Sequence, residues 1–483
     1  MSLKAQAVSG VKWTAWSTLL ITAFQFAQLS ILARLLDPAD FGLMAVMMVV
    51  IGFSQAFQDM GISNAIIQRQ NITHTQLSSL YWLNIASGIV LCLIVMAISP
   101  LAADFFDEPR ISGLMKTLSG VFILVAIGNQ YRVLCQKALQ FRYTETIDII
   151  AAAGSLVVAV YFALQGAGVL ALVYAMLAQA GLASALFLWV GLREYHRPSL
   201  VYRHAELKGF YGFGLYQMGD RCINYLATNA DKLLIGKMVG MSAAGFYNLA
   251  WQLIIFPVSK INPIVTKVAF PVYSKVQNDF TALNRYYTFN VKALSLVTLP
   301  ILAFLFFFSH DVVRIVFGTG WSATAELIPA LALVGMLRAL GNPGGAIVLA
   351  LGRADVGFWW NVVWSVSIVT ALTLGLMISP SAHTAVNILV ALSITLGTFW
   401  HVIIARISKV DYWPIARHFF TLFTVVMAIG WAGASLVEGN EINNPVLRLV
   451  SGGLFCILTY VVYLYLFEKE IFKILRNQTN NEL

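Results

Sequence analysis

Five cations interrupt long apolar runs of this 483-residue chain: Arg221, Lys232, Lys260, Lys292 and Arg338. In runs that span a bilayer, a charge at mid-depth costs about 2.5–3.5 kcal/mol on insertion scales. A lipid-facing position is then untenable, so these side chains are expected to face a protein interior or a wet cavity. Lys292 alone lies near enough to a span end to reach the interface by extending its stem. The chemistry open to the others is neutralisation of an anion. Gln217, Asp220, Asn224, Thr228 and Asp231 recur at three- and four-residue spacing, which on a helix makes one polar stripe. Two readings stand. The stripe is a self-satisfied network, with Asp220 and Asp231 each paired to another helix, or it is a cavity wall that contacts an anionic ligand. The spans around it carry five cations and two acids, and that positive surplus favours the second reading.

The elements that must position these residues follow from composition. Hydrophobic residues make up 59% of the chain and charged residues 11%, against about 45–50% and 25% in soluble domains. One globule cannot hide that much apolar surface, so part of the solvent is lipid. A spanning helix needs about 20 mostly apolar residues. Single spans fit Trp13–Ala33, Phe41–Gln58, Thr75–Ala103, Ile111–Tyr131, Asn290–Ser309, Leu327–Gly352, His418–Val437 and Leu449–Phe467. Two spans each fit Ile149–Leu192, Leu207–Ile264 and Val356–Ala405, the first broken at Gly166 and Gly168 and the last at Pro380. The expectation is fourteen helices, with the first retained rather than cleaved as a signal.

Lys and Arg set the orientation. With the N-terminus inside, Arg132, Lys137, Arg142, Arg193, Arg197, Arg203, Arg285 and Arg406 fall in inner segments, while Asp104, Asp107, Glu108, Glu438 and Glu441 fall outside. The net charge of +9 is thus accounted for by topology, and no nucleic-acid partner is expected. The strip Ile31–Met44 aligns with Leu234–Tyr247 at a constant offset of 203, so that Arg34 meets Lys237 and Gly42 meets Gly245. Both copies join the first two helices of a six-helix block. The expected architecture is an all-α, N-in/C-in membrane protein: one six-helix bundle over 1–193, an inner loop over 194–207, a parallel bundle over 208–410, and two further helices with a tail over 411–483.

Catalytic constellations are missing. No glycine loop ends in Gly-Lys-Ser/Thr, no His-Glu-x-x-His occurs, and the longest outer loop, about His310 to Glu326, is too short for an enzyme site. Cys92, Cys135, Cys222 and Cys456 have no metal spacing and read as buried thiols. Neither catalysis, a metal nor a cofactor is expected, while a coupling proton or sodium ion stays open. Asp59 and Asp148, at helix ends, could bind such an ion or simply cap. Gln25, Gln28 and Gln55 could bond a sugar or a neighbouring helix, and His401 reads as a packed residue.

Asn229–Gly240, Ala244–Ala250, Ala33–Gly42 and Phe317-Gly-Thr-Gly-Trp321 resemble junctions of bacterial polysaccharide exporters. On these strips the chain is identified as a member of the polysaccharide-transport branch of the multidrug/oligosaccharidyl-lipid/polysaccharide exporter superfamily. The resemblance implies a bacterial inner-membrane flippase. Its cargo would be an undecaprenyl-pyrophosphate-linked oligosaccharide of an exopolysaccharide, colanic-acid-like, carried outward by alternating access. The charge reading, applied to that cargo, gives expected roles. Arg221, Lys232, Lys260 and Arg338 hold phosphate or carboxylate. Lys12 and Arg132 draw the headgroup to the inner mouth. Asp220 and Asp231, with Asn224 and Gln217 on the same stripe, orient the cations or carry coupling ions. The implied partners are the lipid-linked anionic oligosaccharide, membrane lipids, and a polysaccharide polymerase with its export machinery. The protein itself is expected to be a monomer. The rival reading is an ion-coupled drug exporter on the same scaffold, whose cationic cargo would want buried acids instead. A membrane-embedded glycan polymerase or ligase would need a larger outer loop.

Overall fold

The structure, a computed structural model, describes residues 3–58, 72–203, 228–440 and 442–468, with isolated positions between 63 and 69 and between 222 and 226. Every regular element among the described residues is helical. Thirteen segments are long and apolar enough to cross a membrane. Most of the stretch expected to supply one further span, from Leu207, lies outside the described residues, and a helix over 228–238 follows it.

The chain divides into two compact units, Met1–Gly245 and Phe246–Leu483. The first contains α1 (Leu3–Leu35), α2 (Pro38–Gln58), α3 (His74–Phe106), α4 (Arg110–Leu118), α5 (Gly120–Lys137), α6 (Phe141–Leu164) and α7 (Val169–Glu194). It also holds helix 228–238 and the first residues of α8 (Met241–Lys275). Around α6 and α7 the helices pack as an antiparallel bundle, α6 against α1 and α7, and α5 against α7. Its core gathers Leu43, Met47, Val95, Ile111 and Phe122. The second unit contains the rest of α8, then α9 (Phe280–Phe307), α10 (Ser309–Val316), α11 (Ser322–Ala350), α12 (Ala354–Ile378), α13 (Ala382–Ser408), α14 (Trp413–Gly439) and α15 (Pro445–Phe467). Here α11 is central, packed on α9 and α13, and its core includes Ile328, Leu331 and Val386.

Helix ends are specified locally. Thr73 and Gln76 form a reciprocal capping box at α3, and Asp279 and Asn444 accept backbone N–H groups at the starts of α9 and α15. Large apolar side chains such as Leu101, Val157, Met377 and Phe467 are about two-thirds exposed or more. Helices that turn such residues outward while burying Ser99, Gln130 and Thr298 suit a hydrocarbon surrounding.

The two aligned strips form equivalent junctions. Helix α1 ends at Leu35 and α2 begins at Pro38, while the other pair breaks at 239–240 and resumes at Met241, all at the same offset of 203. The junctions also touch each other reciprocally. A Cβ on Gly42 would overlap the carbonyl oxygen of Met241, and one on Gly245 would overlap the carbonyl oxygen of Pro38. Met241 is the counterpart of Pro38, so each glycine approaches the same atom in the other copy. Beside the crossing, Lys237 Nζ bonds Asp107 Oδ2 at 2.6 Å.

The segment after α7 is tied to the first unit. Ser199 N–H and Arg203 N–H donate to Ser78 and Ser79, and Trp82 Nε1 donates to the Ser199 carbonyl at 2.8 Å. Buried His196 accepts at Nε2 from the Gln130 amide at 3.1 Å, and its ring meets His74 edge-on. Burial, then the His74 charge, hold the His196 imidazole below its usual range. The folded state therefore disfavours the proton. The tether is complete above the free imidazole pKa of about 6.5 and weakens as the pH falls below it. Amide-exchange protection over 195–203 is expected to drop between about pH 7 and pH 5. His196→Leu should abolish that drop, and protection unchanged by pH in the native chain would refute it.

Candidate functional site

The described part of the polar stripe lies on helix 228–238 and the turn before it. Asn224 and Thr228 are exposed, whereas Asp231 is 5% exposed. Thr228 is satisfied by its own helix, donating to the Asn224 carbonyl at 2.9 Å. Asp231 Oδ1 accepts the backbone N–H of Lys232 at 2.9 Å. The half-buried Lys232 ammonium donates to Asn229 Oδ1 at 3.0 Å, a neutral acceptor. Among the described residues it makes no ion pair. Tyr225 pins the stretch to α2 by donating to the Met48 carbonyl at 3.0 Å. Gln217, Asp220 and Arg221 lie outside the described residues, as does the Lys12 side chain.

The remaining cations fall into three different settings. Lys260 is exposed on α8, 5.7 Å from the Phe256 ring. Arg338 on α11 is wedged between two indoles, 4.8 Å from Trp251 and 5.5 Å from Trp364. Trp360 extends this cluster by stacking on Trp400, whose Nε1 donates to the Gly341 carbonyl. A delocalised guanidinium is suited to such a place, where an ammonium would lose its hydration. Arg132 on α5 reaches Asp148 on α6 at 2.7 Å and lies over the Phe187 ring at 5.6 Å. The sequence reading treated Arg132 and Asp148 separately; the fold brings them together.

Each unit encloses a cavity. The first unit's measures about 210 Å³, and Gln55, Asn129, Arg132, Asp148, Gln179 and Ser184 contribute its polar wall. Asn129 and Gln179 were missed from sequence, although a lone amide in an apolar span is a visible signal. The second unit's cavity measures about 540 Å³ between α11, α13 and α14, and is walled by apolar residues such as Leu337, Ile394, Phe419 and Phe423. His401 and Tyr412 line it too, and Tyr412 continues to Tyr287 through a 2.7 Å hydroxyl contact. His401 is packed, 5.3 Å from the Tyr412 ring.

Comparison with known proteins identifies the scaffold. A family model described as "Polysaccharide biosynthesis protein" matches residues 31–326. The lipopolysaccharide biosynthesis protein WzxC of Escherichia coli K12 is 34% identical over 375 residues, covering 78% of this chain and 76% of that protein. The teichuronic acid biosynthesis protein TuaB of Bacillus subtilis 168 is 33% identical over 474 residues, 96% of this chain and 97% of that one. In three dimensions the chain resembles the lipid II flippase MurJ in its inward closed conformation. The TM-score is 0.74 at 13% identity, over 96% of this chain and 100% of that one. It also resembles an inward-facing MATE multidrug transporter, with TM-score 0.60 at 14% identity, over 80% and 96% of the two chains. A helical multi-pass membrane protein that aligns with TuaB along nearly its whole length, and with WzxC along more than three quarters of it, belongs to the polysaccharide biosynthesis protein family, in the polysaccharide-transport branch of the multidrug/oligosaccharidyl-lipid/polysaccharide exporters.

Proposed function

We infer that this protein is a flippase: it moves a lipid-linked oligosaccharide from the inner to the outer leaflet of a bacterial cytoplasmic membrane. The observation that carries this reading is the near end-to-end relation to a teichuronic acid biosynthesis protein, 96% of this chain against 97% of that one. The charge distribution agrees with it. A pyrophosphate-linked headgroup is anionic, and cations within the bilayer offset its desolvation. Lys232, bonded to a neutral amide, retains donors for a phosphate oxygen. Arg338 is held in fixed orientation by two indole rings. The apolar cavity of the second unit suits a few isoprene units of a polyprenyl tail. No bond is made or broken in such a step, so the work lies in exposing one site alternately to either side.

The test is reconstitution. Vesicles containing the purified chain should expose an undecaprenyl-pyrophosphate oligosaccharide, loaded in the inner leaflet, to an impermeant glycosidase outside. Protein-free vesicles should not. Export of a cationic dye without movement of the lipid would instead establish the drug-exporter reading.

A further inference from the structure

The cavity of the first unit carries six polar side chains in an otherwise apolar wall, where a helix bundle in lipid has no need of polarity. Its wall draws Gln55 from α2, Asn129 and Arg132 from α5, Asp148 from α6, and Gln179 and Ser184 from α7. Polar side chains at membrane depth are stable when they bond one another or a guest. Mutual bonding here is sparse. Arg132 donates to Asp148, and Asn129 Nδ2 reaches Ser63 Oγ only at 3.5 Å. Among the described residues, the Gln55 and Gln179 amides make no hydrogen bond.

The chemistry of the wall selects a class of guest. Arg132 and Asp148 cancel in charge. An anion entering would have to take Arg132 from its carboxylate, and a cation would meet the guanidinium; either breaks the Arg132–Asp148 pair and leaves one charge of it without its partner. An uncharged ligand rich in hydroxyls leaves the pair intact. Its hydroxyls can donate to Asp148 and accept from Arg132, while each amide does both. The Phe187 ring under the guanidinium fixes the donor fork before any ligand arrives. A cavity of about 210 Å³ has room for about seven waters at roughly 30 Å³ each. That is below the 300–1,000 Å³ usual for drug-sized ligands, and is right for one sugar ring.

We propose that this cavity binds one uncharged pyranose of the oligosaccharide headgroup. The proposal rests on the flippase reading and adds a division of labour to it: the cations elsewhere take the pyrophosphate, and this neutral pocket reads the sugar.

The experiment compares four lipids binding to the full chain in nanodiscs: undecaprenyl pyrophosphate alone, or carrying one glucose, one galactose or one glucuronic acid. At least one neutral hexose should tighten binding tenfold or more over the bare lipid, about 1.4 kcal/mol. Glucuronic acid should bring no gain. Combining Gln55→Ala with Gln179→Ala should shrink the hexose advantage to within twofold. Equal binding of bare and hexose-bearing lipids by the native protein would mean that the cavity holds only water, and would overturn the sugar site while leaving the flippase reading in place. A preference for glucuronic acid would overturn the selection for neutrality. Binding of none of the four would overturn the flippase reading and this one with it.

Discussion

Gly42→Leu is expected to destabilise the protein by about 3 kcal/mol and to abolish transport. Overpacking costs about 1–3 kcal/mol where neighbours can yield. Here the first atom added meets the Met241 carbonyl, which is backbone inside a helix and cannot rotate away. The clash therefore forces two helix junctions apart. Gly245→Leu should do the same, because its Cβ meets the Pro38 carbonyl. Gly113 supplies the control. It is also helical, but nothing lies within 4 Å of a Cβ placed there, so Gly113→Ala should be neutral or slightly stabilising through reduced backbone freedom. Thermal unfolding in detergent and the vesicle assay read both effects. A Gly42→Leu protein with native melting and native transport would show that the crossing does not form.

Lys232→Met is expected to cut transport of the lipid-linked oligosaccharide by ten- to a hundredfold at unchanged protein level. Hydrogen bonds to charged groups are worth about 1.5–3 kcal/mol, the range that corresponds to this loss if one phosphate contact disappears. Stability should hold, because replacing a buried charge by an apolar side chain of similar size is often neutral or favourable. Lys232→Arg should restore part of the rate, since it returns charge in a longer form. Lys260→Met should matter less, as Lys260 is exposed and rests against Phe256. A Lys232→Met protein that transports normally would remove this residue from the site.

Apolar length and loop charge made the spans legible in the sequence, because lipid imposes a minimum on every crossing helix. The repeat was legible for a second reason: the helix breaks at 36–37 and 239–240 repeat with their glycines at one offset. Less was readable where side chains bond backbone. The ties from Ser78, Ser79 and Trp82 to the segment after α7 follow no period and leave no pattern. The division of α4 from α5 at Ser119 likewise falls inside one apolar run. Sequence position sorts the cations only by depth, with Lys232 and Arg338 in mid-span and Arg132 at the inner mouth. Burial and neighbours separate them, since Lys232 meets an amide, Arg338 two indoles and Arg132 a carboxylate. Only tertiary packing decides which of these a given cation meets.

The reciprocal glycine crossing also bears on how such a chain could arise. Each junction offers its glycine to the same carbonyl of the other, so a homodimer of one half-length ancestor would already make the contact twice about a two-fold axis. Gene duplication and fusion would then add a covalent connection to an interface that existed beforehand. In such an ancestor one glycine would serve both sides, and a single mutation would strike the contact in both places at once.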